Sequence, residues 1–560
     1  MSYLTDYHAS ASSTLLATIT NAPIGALGDA SRAALIQLII DDIAAARNAQ
    51  GRLAPKDVAL ALGAIKSLGR IESGSRVNLK HILDVAKDLS ASNAEASKQA
   101  MRCIANAILL VPAGRDTLVD LDGDEFCTRV YIVGLQLDTS VTWIDWRQNE
   151  GSSPEYIFLA SRLLFFMVHT DGPFISRVVR QHRLPTLLAQ QIESIGQSNA
   201  PFAKDALDDM LKLHFSAVSK YSKLVGHGSG SGLVLGEYWD DIFEPTASPL
   251  IKLFHTLPSP PSDPLAGSLT YVIHALINVP VAPFAHLWFP QSPKPSRSSS
   301  SGTQSPRPSL DKTGSPVEAS GSGSPLSRAL NLLSRKSSPG RKSPPPTGNS
   351  ALRALSILQS ILALHLPGSS DPDDSAVRNA LKAKGVSLDE LASPVAALLT
   401  RLVGGDEGAR AKVAAIVLPS DMDRSSALEK RDDFLGRCIR LMTSVYYPTL
   451  KDTVGEMLFM LCGSDGQALS AAIGYGNAAG YLYNKGIMAP PPASSAGTRE
   501  AQSGPSLSEM TDEEKQREAE KLFVLFDRME RMGMARNPIR EAFQSGKFEN
   551  MEKKDEGDSD

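Results

Sequence analysis

The run Gly474-Tyr475-Gly476-Asn477-Ala478-Ala479-Gly480 is the first place to look for chemistry. Glycine-rich turns at helix starts can cradle phosphate, because backbone N–H groups converge there. The spacing here is G-x-G-x-x-x-G, and it follows a helical pattern instead of a buried strand, so the dinucleotide fingerprint is not met. The residues by themselves predict a tight helix–helix turn at Gly474, Gly476, Asn477 and Gly480, with Tyr475 packed. No GxxxxGK[ST], HExxH or GxSxG pattern occurs. The ten histidines have no paired-ligand spacing, and His81, His214, His274 and His365 all fall inside helical stretches. Cys103, Cys127, Cys438 and Cys462 are scattered without a CxxC, which reads as reduced thiols and not as a disulfide frame or zinc site. These features describe a binding protein with no cofactor, no metal and no catalytic group.

The elements that must position any binding residues are helices. Between Ala33 and Ala46, apolar Leu35, Ile36, Ile39, Ile40 and Ile43 follow a 3.6-residue period. Phe434, Leu435, Cys438, Ile439 and Met442 repeat it, as do Val454, Met457, Leu458 and Leu461. Similar patterns cover roughly 55–70, 94–111, 155–168, 203–219, 266–279, 351–365, 375–383 and 389–403, and strand-like alternation is rare. At 560 residues the chain has too many short helices for one bundle. Stacked helical hairpins, each burying its face against the next, are the natural solution.

Composition narrows the function classes. Apolar residues make up 42% and charged residues 21%, with 57 basic against 61 acidic side chains. That balance argues against a nucleic-acid binder. No apolar stretch approaches the roughly 20 residues of a membrane span, and no basic-then-apolar leader opens the sequence. A monomeric cytoplasmic protein is the expectation.

Proline divides the chain. Of 36 prolines, 17 lie in 258–349 and four in 490–505. Residues 291–350 hold 18 Ser and 10 Pro, with nine basic residues against two acidic. Such a segment is expected to be disordered, since it cannot bury enough apolar surface. Six Ser-Pro pairs, at Ser292, Ser305, Ser315, Ser324, Ser338 and Ser343, are possible phosphorylation sites that would reverse its charge. The expected organisation is a helical-repeat solenoid over 1–290 and 351–488, interrupted by the 291–350 insertion. A flexible linker at 489–507, an amphipathic tail at 508–545 and an acidic end at 546–560 follow. In the tail, Thr511 and Glu514 form a capping box, and Leu522, Leu525, Phe526, Met529 and Met532 share one stripe.

Several runs together resemble the synembryn family of exchange factors and folding chaperones for heterotrimeric G-protein α subunits (Gα). Ile473–Gly480 with Leu482 and Gly486-Ile487-Met488 is similar to that family's signature. Arg440-Leu441-Met442-Thr443 and Glu456–Cys462 lie upstream at the family's spacing, and Met510–Lys515 with Phe526-Asp527 resembles its tail helix. Arg162-Leu163-Leu164-Phe165 and Asn278-Val279-Pro280 match more faintly. The resemblance is strong over about 430–530.

The resemblance implies an all-α, armadillo/HEAT-like right-handed superhelix whose concave face grips the C-terminal helix of Gα, while the tail reaches the nucleotide domain. Exchange would then involve no covalent chemistry, and GDP and GTP would belong to Gα, with recruitment to the cell cortex through it. Because a Gα chain ends in a carboxylate, basic and amide groups should line the groove. Lys66 and Arg70 match family positions bearing two arginines, and Asn106 matches a family asparagine. Arg410, Arg437 and Arg440 are the basic residues expected from the later repeats. Leu522, Leu525, Phe526 and Met529 are expected to touch the nucleotide domain. The alternative is a scaffold that captures Gα or another peptide without promoting exchange. Two departures stand out: the insertion is far longer than in animal relatives, and the linker lacks their acidic Ser/Thr run.

Overall fold

The computed structural model describes residues 3–47, 51–71, 79–90, 92–135, 153–170, 172–226, 239–290 and 348–487. Among them every regular element is helical. The main helices are α1 (Tyr3–Ala9), α2 (Ser13–Thr20), α3 (Asp29–Arg47), α4 (Val58–Leu68), α5 (Leu79–Asp88), α6 (Ala94–Leu110), α7 (Gly114–Asp120) and α8 (Gly123–Gly134). After them come α9 (Pro154–Met167), α10 (Leu184–Ile195), α11 (Ala203–Leu224), α12 (Glu244–Thr256) and α13 (Leu269–Ile277). The second half contains α14 (Ser350–His365), α15 (Ser375–Ala383), α16 (Leu388–Gly405), α17 (Glu407–Val417), α18 (Phe434–Met442), α19 (Pro448–Leu461), α20 (Gly466–Ile473) and α21 (Tyr475–Asn484).

The helices form two rows. A front row runs α2, α4, α6, α9, α11, α13, α16, α19, each packed on the next. A back row contains α3, α5, α8, α10, α12 and α14, which pair with front-row neighbours as hairpins. This is the architecture of a helical-repeat superhelix. The periodic residues explain it: Leu35, Ile36, Ile39, Ile40 and Ile43 are all buried in α3, and Leu435, Cys438, Ile439 and Met442 in α18. Helix starts are fixed by side-chain caps. Asp433 Oδ1 accepts from Gly436 N at 2.8 Å, Asp406 Oδ1 from Ala409 N at 2.6 Å, and Asn349 Oδ1 from Ala351 N at 3.0 Å. Each such cap contributes about 1 kcal/mol.

One hydrophobic core extends from Tyr7 to Leu482, with Trp288 and Ala351 both inside it. The start of α14 is fastened to the end of α12. Ser350 Oγ and His255 Nε2 are 2.8 Å apart, Arg353 Nη2 donates to the Leu257 carbonyl at 2.5 Å, and its guanidinium lies over Phe254. The serines at 292, 305, 315, 324, 338 and 343, the linker and the tail with Leu522, Leu525, Phe526 and Met529 lie outside the described residues.

Candidate partner-binding face

The front-row helices bury one stripe and present the other. In α6, Ala100, Met101, Ile104 and Ile108 are buried, which leaves Arg102, Asn106 and Leu109 on the open side. In α9 the same logic opens Phe158, Arg162, Phe165 and Phe166, and in α11 it opens Lys212. Asn106, Leu109, Arg162, Phe165, Phe166 and Lys212 line one cleft of about 350 Å³.

Asp209 organises the polar edge of this cleft. Its nearly buried carboxylate accepts from Arg162 Nε at 2.8 Å and from Lys212 Nζ at 3.0 Å. Aromatic faces support both cations: Arg162 stacks over Phe158 at 4.4 Å and Lys212 over Tyr271 at 4.6 Å. Two cations share one carboxylate, so the edge keeps a net positive charge. Phe165, Phe166 and Leu109 supply an apolar floor. A peptide that buries an apolar side chain and presents a carboxylate or carbonyls fits both properties.

Of the residues expected from sequence, Asn106 lines this cleft, and its Nδ2 donates to the Lys66 carbonyl at 3.3 Å. It therefore ties α6 to the last turn of α4. Lys66 is half-buried there and Arg70 is exposed just beyond it. Arg410 sits on α17 and pairs with Glu407 at 3.3 Å.

Arg437 and Arg440, expected to face the groove, are engaged within the chain. Arg437 Nε donates to the Leu366 carbonyl at 2.7 Å and its Nη2 to Asp432 at 2.8 Å. Arg440 donates to the carbonyls of Ser370 (3.0 Å), Gly368 (3.1 Å), Arg431 (2.9 Å) and Glu429. The pair staples the 366–374 connection and the 428–431 turn onto α18. Backbone carbonyls in loops need donors when partly buried, and these guanidiniums provide them.

The glycine run is also placed differently from expectation. Gly474, with φ +91°, sits between α20 and α21, a conformation that L side chains rarely adopt. Gly476, Asn477 and Gly480 lie in helix α21 instead of in the turn, and Asn477 Nδ2 bonds back to the Ile473 carbonyl at 2.9 Å. Tyr475 is not packed but 53% exposed, because the helix start points it outward.

Burial pushes every thiol upward, Cys103 to about 12 and Cys462 to about 11, so none is a nucleophile at neutral pH. No cluster of metal-ligating side chains occurs among the described residues, and none of their helices is long and apolar enough to cross a membrane.

Comparison with known proteins gives the fold an identity. The family model described as guanine nucleotide exchange factor synembryn, or Ric8, matches residues 61–547. The chain belongs to the synembryn family. Among curated relatives, Chaperone Ric-8A of Macaca fascicularis is 29% identical over 202 residues, 31% of this chain and 38% of that protein. Chaperone Ric-8A of Rattus norvegicus is 30% identical over 194 residues (30% of this chain, 36% of that protein), and Chaperone Ric-8B of Mus musculus is 35% identical over 106 residues (19% and 20%). Each of these matches spans less than half of the synembryn relative's length.

Asp209, Lys212 and Phe166 were not singled out from sequence. The available signal was polar residues interrupting the apolar stripe of 203–219, beside the faint family match at Arg162–Phe165.

Proposed function

We propose that this synembryn-family chain is a guanine nucleotide exchange factor and folding chaperone for G-protein α subunits. The match of the family model over 61–547 carries the reading, and the α6–α9–α11 cleft supports it. That cleft has an apolar floor and a positive edge suited to the carboxylate-terminated helix of Gα. Asn106, Arg162 and Lys212 contact that segment, with Lys66 and Arg70 flanking. Arg437 and Arg440 act by holding the later repeats in shape, and Arg410 lies at their periphery.

The chain needs no cofactor, because the guanine nucleotide belongs to Gα. GDP leaves when the chain binds empty Gα better than loaded Gα, and GTP reverses the preference. Coupling of this kind amounts to about 1–3 kcal/mol. The tail, through Leu522, Leu525, Phe526 and Met529, reaches the nucleotide domain, and Gα recruits the otherwise cytoplasmic chain to the cell cortex.

The test measures uptake of a GTP analogue by purified Gα with the full chain and with a chain ending near residue 490. Stimulation by the full chain and its loss on truncation is the expected outcome. Binding without stimulation by either form would leave only a scaffold.

A further inference from the structure

A second cleft, of about 410 Å³, opens between α16, α19 and α21. Arg401 of α16 lines it, facing Asp452 and Glu456 of α19 and Tyr481 and Lys485 of α21. The Arg401 guanidinium is poorly satisfied. Its Nη1 is buried with no acceptor, and its Nη2 has only a long contact of 3.4 Å to the Val279 carbonyl. Arg162, Arg177 and Arg440, by contrast, are each held by close acceptors.

Asp452 and Glu456 line the cleft, but neither forms a hydrogen bond or ion pair with Arg401. Glu456 is already engaged, accepting from the Tyr481 hydroxyl at 2.7 Å and pairing with Lys485. Burial pulls the Arg401 guanidinium down to about 10, and no carboxylate opposes that shift. A desolvated cation without a counter-charge destabilises the fold that contains it.

We infer that Arg401 is a second anchor on the front row, taking an acidic side chain of the partner that occupies the first cleft. Continuity supports the choice of occupant: α11, α13 and α16 pack in sequence, so neighbouring front-row helices line both clefts. Charge supports it as well, since a carboxylate supplies what Arg401 lacks. The inference rests on the Gα reading above.

The experiment uses the full chain with Arg401→Met, which keeps the stem's volume and removes the charge. Affinity for Gα is expected to fall at least about tenfold, while the melting temperature of the free chain stays level or rises. Lys382→Met, the same charge loss at an exposed site on α15, should leave affinity unchanged. Equal affinity of Arg401→Met and wild type would overturn the anchor and leave the Gα reading standing. A fall in melting temperature that accounts for the lost affinity would overturn it too. A partner-free measurement separates the two readings. Millimolar glutarate, against sodium chloride at matched ionic strength, should raise the melting temperature of wild type but not of Arg401→Met. Equal response in both chains would remove the anion site even if Gα binds. A wild type that fails to bind Gα but responds selectively to glutarate would sink the Gα reading and keep the site.

Discussion

The carboxylate of Asp209 on α11 lies 2.8 Å from Nε of Arg162 on α9, nearly buried between two front-row helices. Its other oxygen takes Lys212, so one acid fixes the direction of both cleft cations. Asp209→Asn keeps the volume and removes the charge. A hydrogen bond to a charged group is worth about 1.5–3 kcal/mol, so Gα affinity should fall by roughly tenfold or more. Calorimetric titration of a peptide matching a Gα C-terminus, alongside a thermal melt, checks this. Unchanged affinity in a folded Asp209→Asn chain would remove Asp209 from the site.

Arg440 should behave as a structural residue. Its guanidinium serves carbonyls of Gly368, Ser370, Glu429 and Arg431, and Arg440→Met leaves them without a donor. Each unsatisfied group costs about 1–3 kcal/mol where water cannot replace the donor. Urea unfolding should therefore show a loss of about 2 kcal/mol or more. Gα binding per folded molecule should fall far less than for Asp209→Asn.

Acid should weaken the fold through its buried histidines. Burial lowers His214 to about 4 and His255 to about 4, from an ordinary 6.5. Between pH 6.5 and 4 the unfolded chain binds protons that the folded chain refuses, so stability declines as pH falls through that window. For the fully buried His214 the complete shift corresponds to about 3 kcal/mol. Urea midpoints at pH 7, 5.5 and 4.5 should fall in that order, and His214→Gln should flatten the trend. A pH-independent midpoint would contradict the buried neutral imidazoles.

The thiols should be silent. Cys103, Cys127 and Cys438 are buried and Cys462 is half-buried, all with raised pKa values. A colorimetric thiol reagent at pH 8 should label the folded chain slowly, with Cys462 first, and all four after denaturation. Rapid labelling of Cys103 in the folded state would refute its burial.

The helices were legible because their signal is local. Leu35 through Ile43 reveal a buried face whatever lies against it. Arg437 and Arg440 were not legible, because a basic pair at i, i+3 looks the same facing water, a partner or its own loops. The acceptors that decide its use lie about 70 residues away. Asp209 reads as an ordinary helix carboxylate until α9 supplies Arg162, 47 residues earlier. Tyr475 misled for a related reason: an aromatic beside glycines suggests packing, but the direction of α21 decides where it points.

The clamp of His255 and Arg353 on the first turn of α14 has an evolutionary consequence. Trp288 and Ala351 share one core, so the described repeats on either side of 291–347 pack together through residues outside that range. Lengthening a loop costs only about 0.6 kcal/mol for each doubling. A change of length between Phe289 and Gly348 therefore leaves the packing of the described core intact. The length of that stretch and the helical core are therefore free to diverge at different rates.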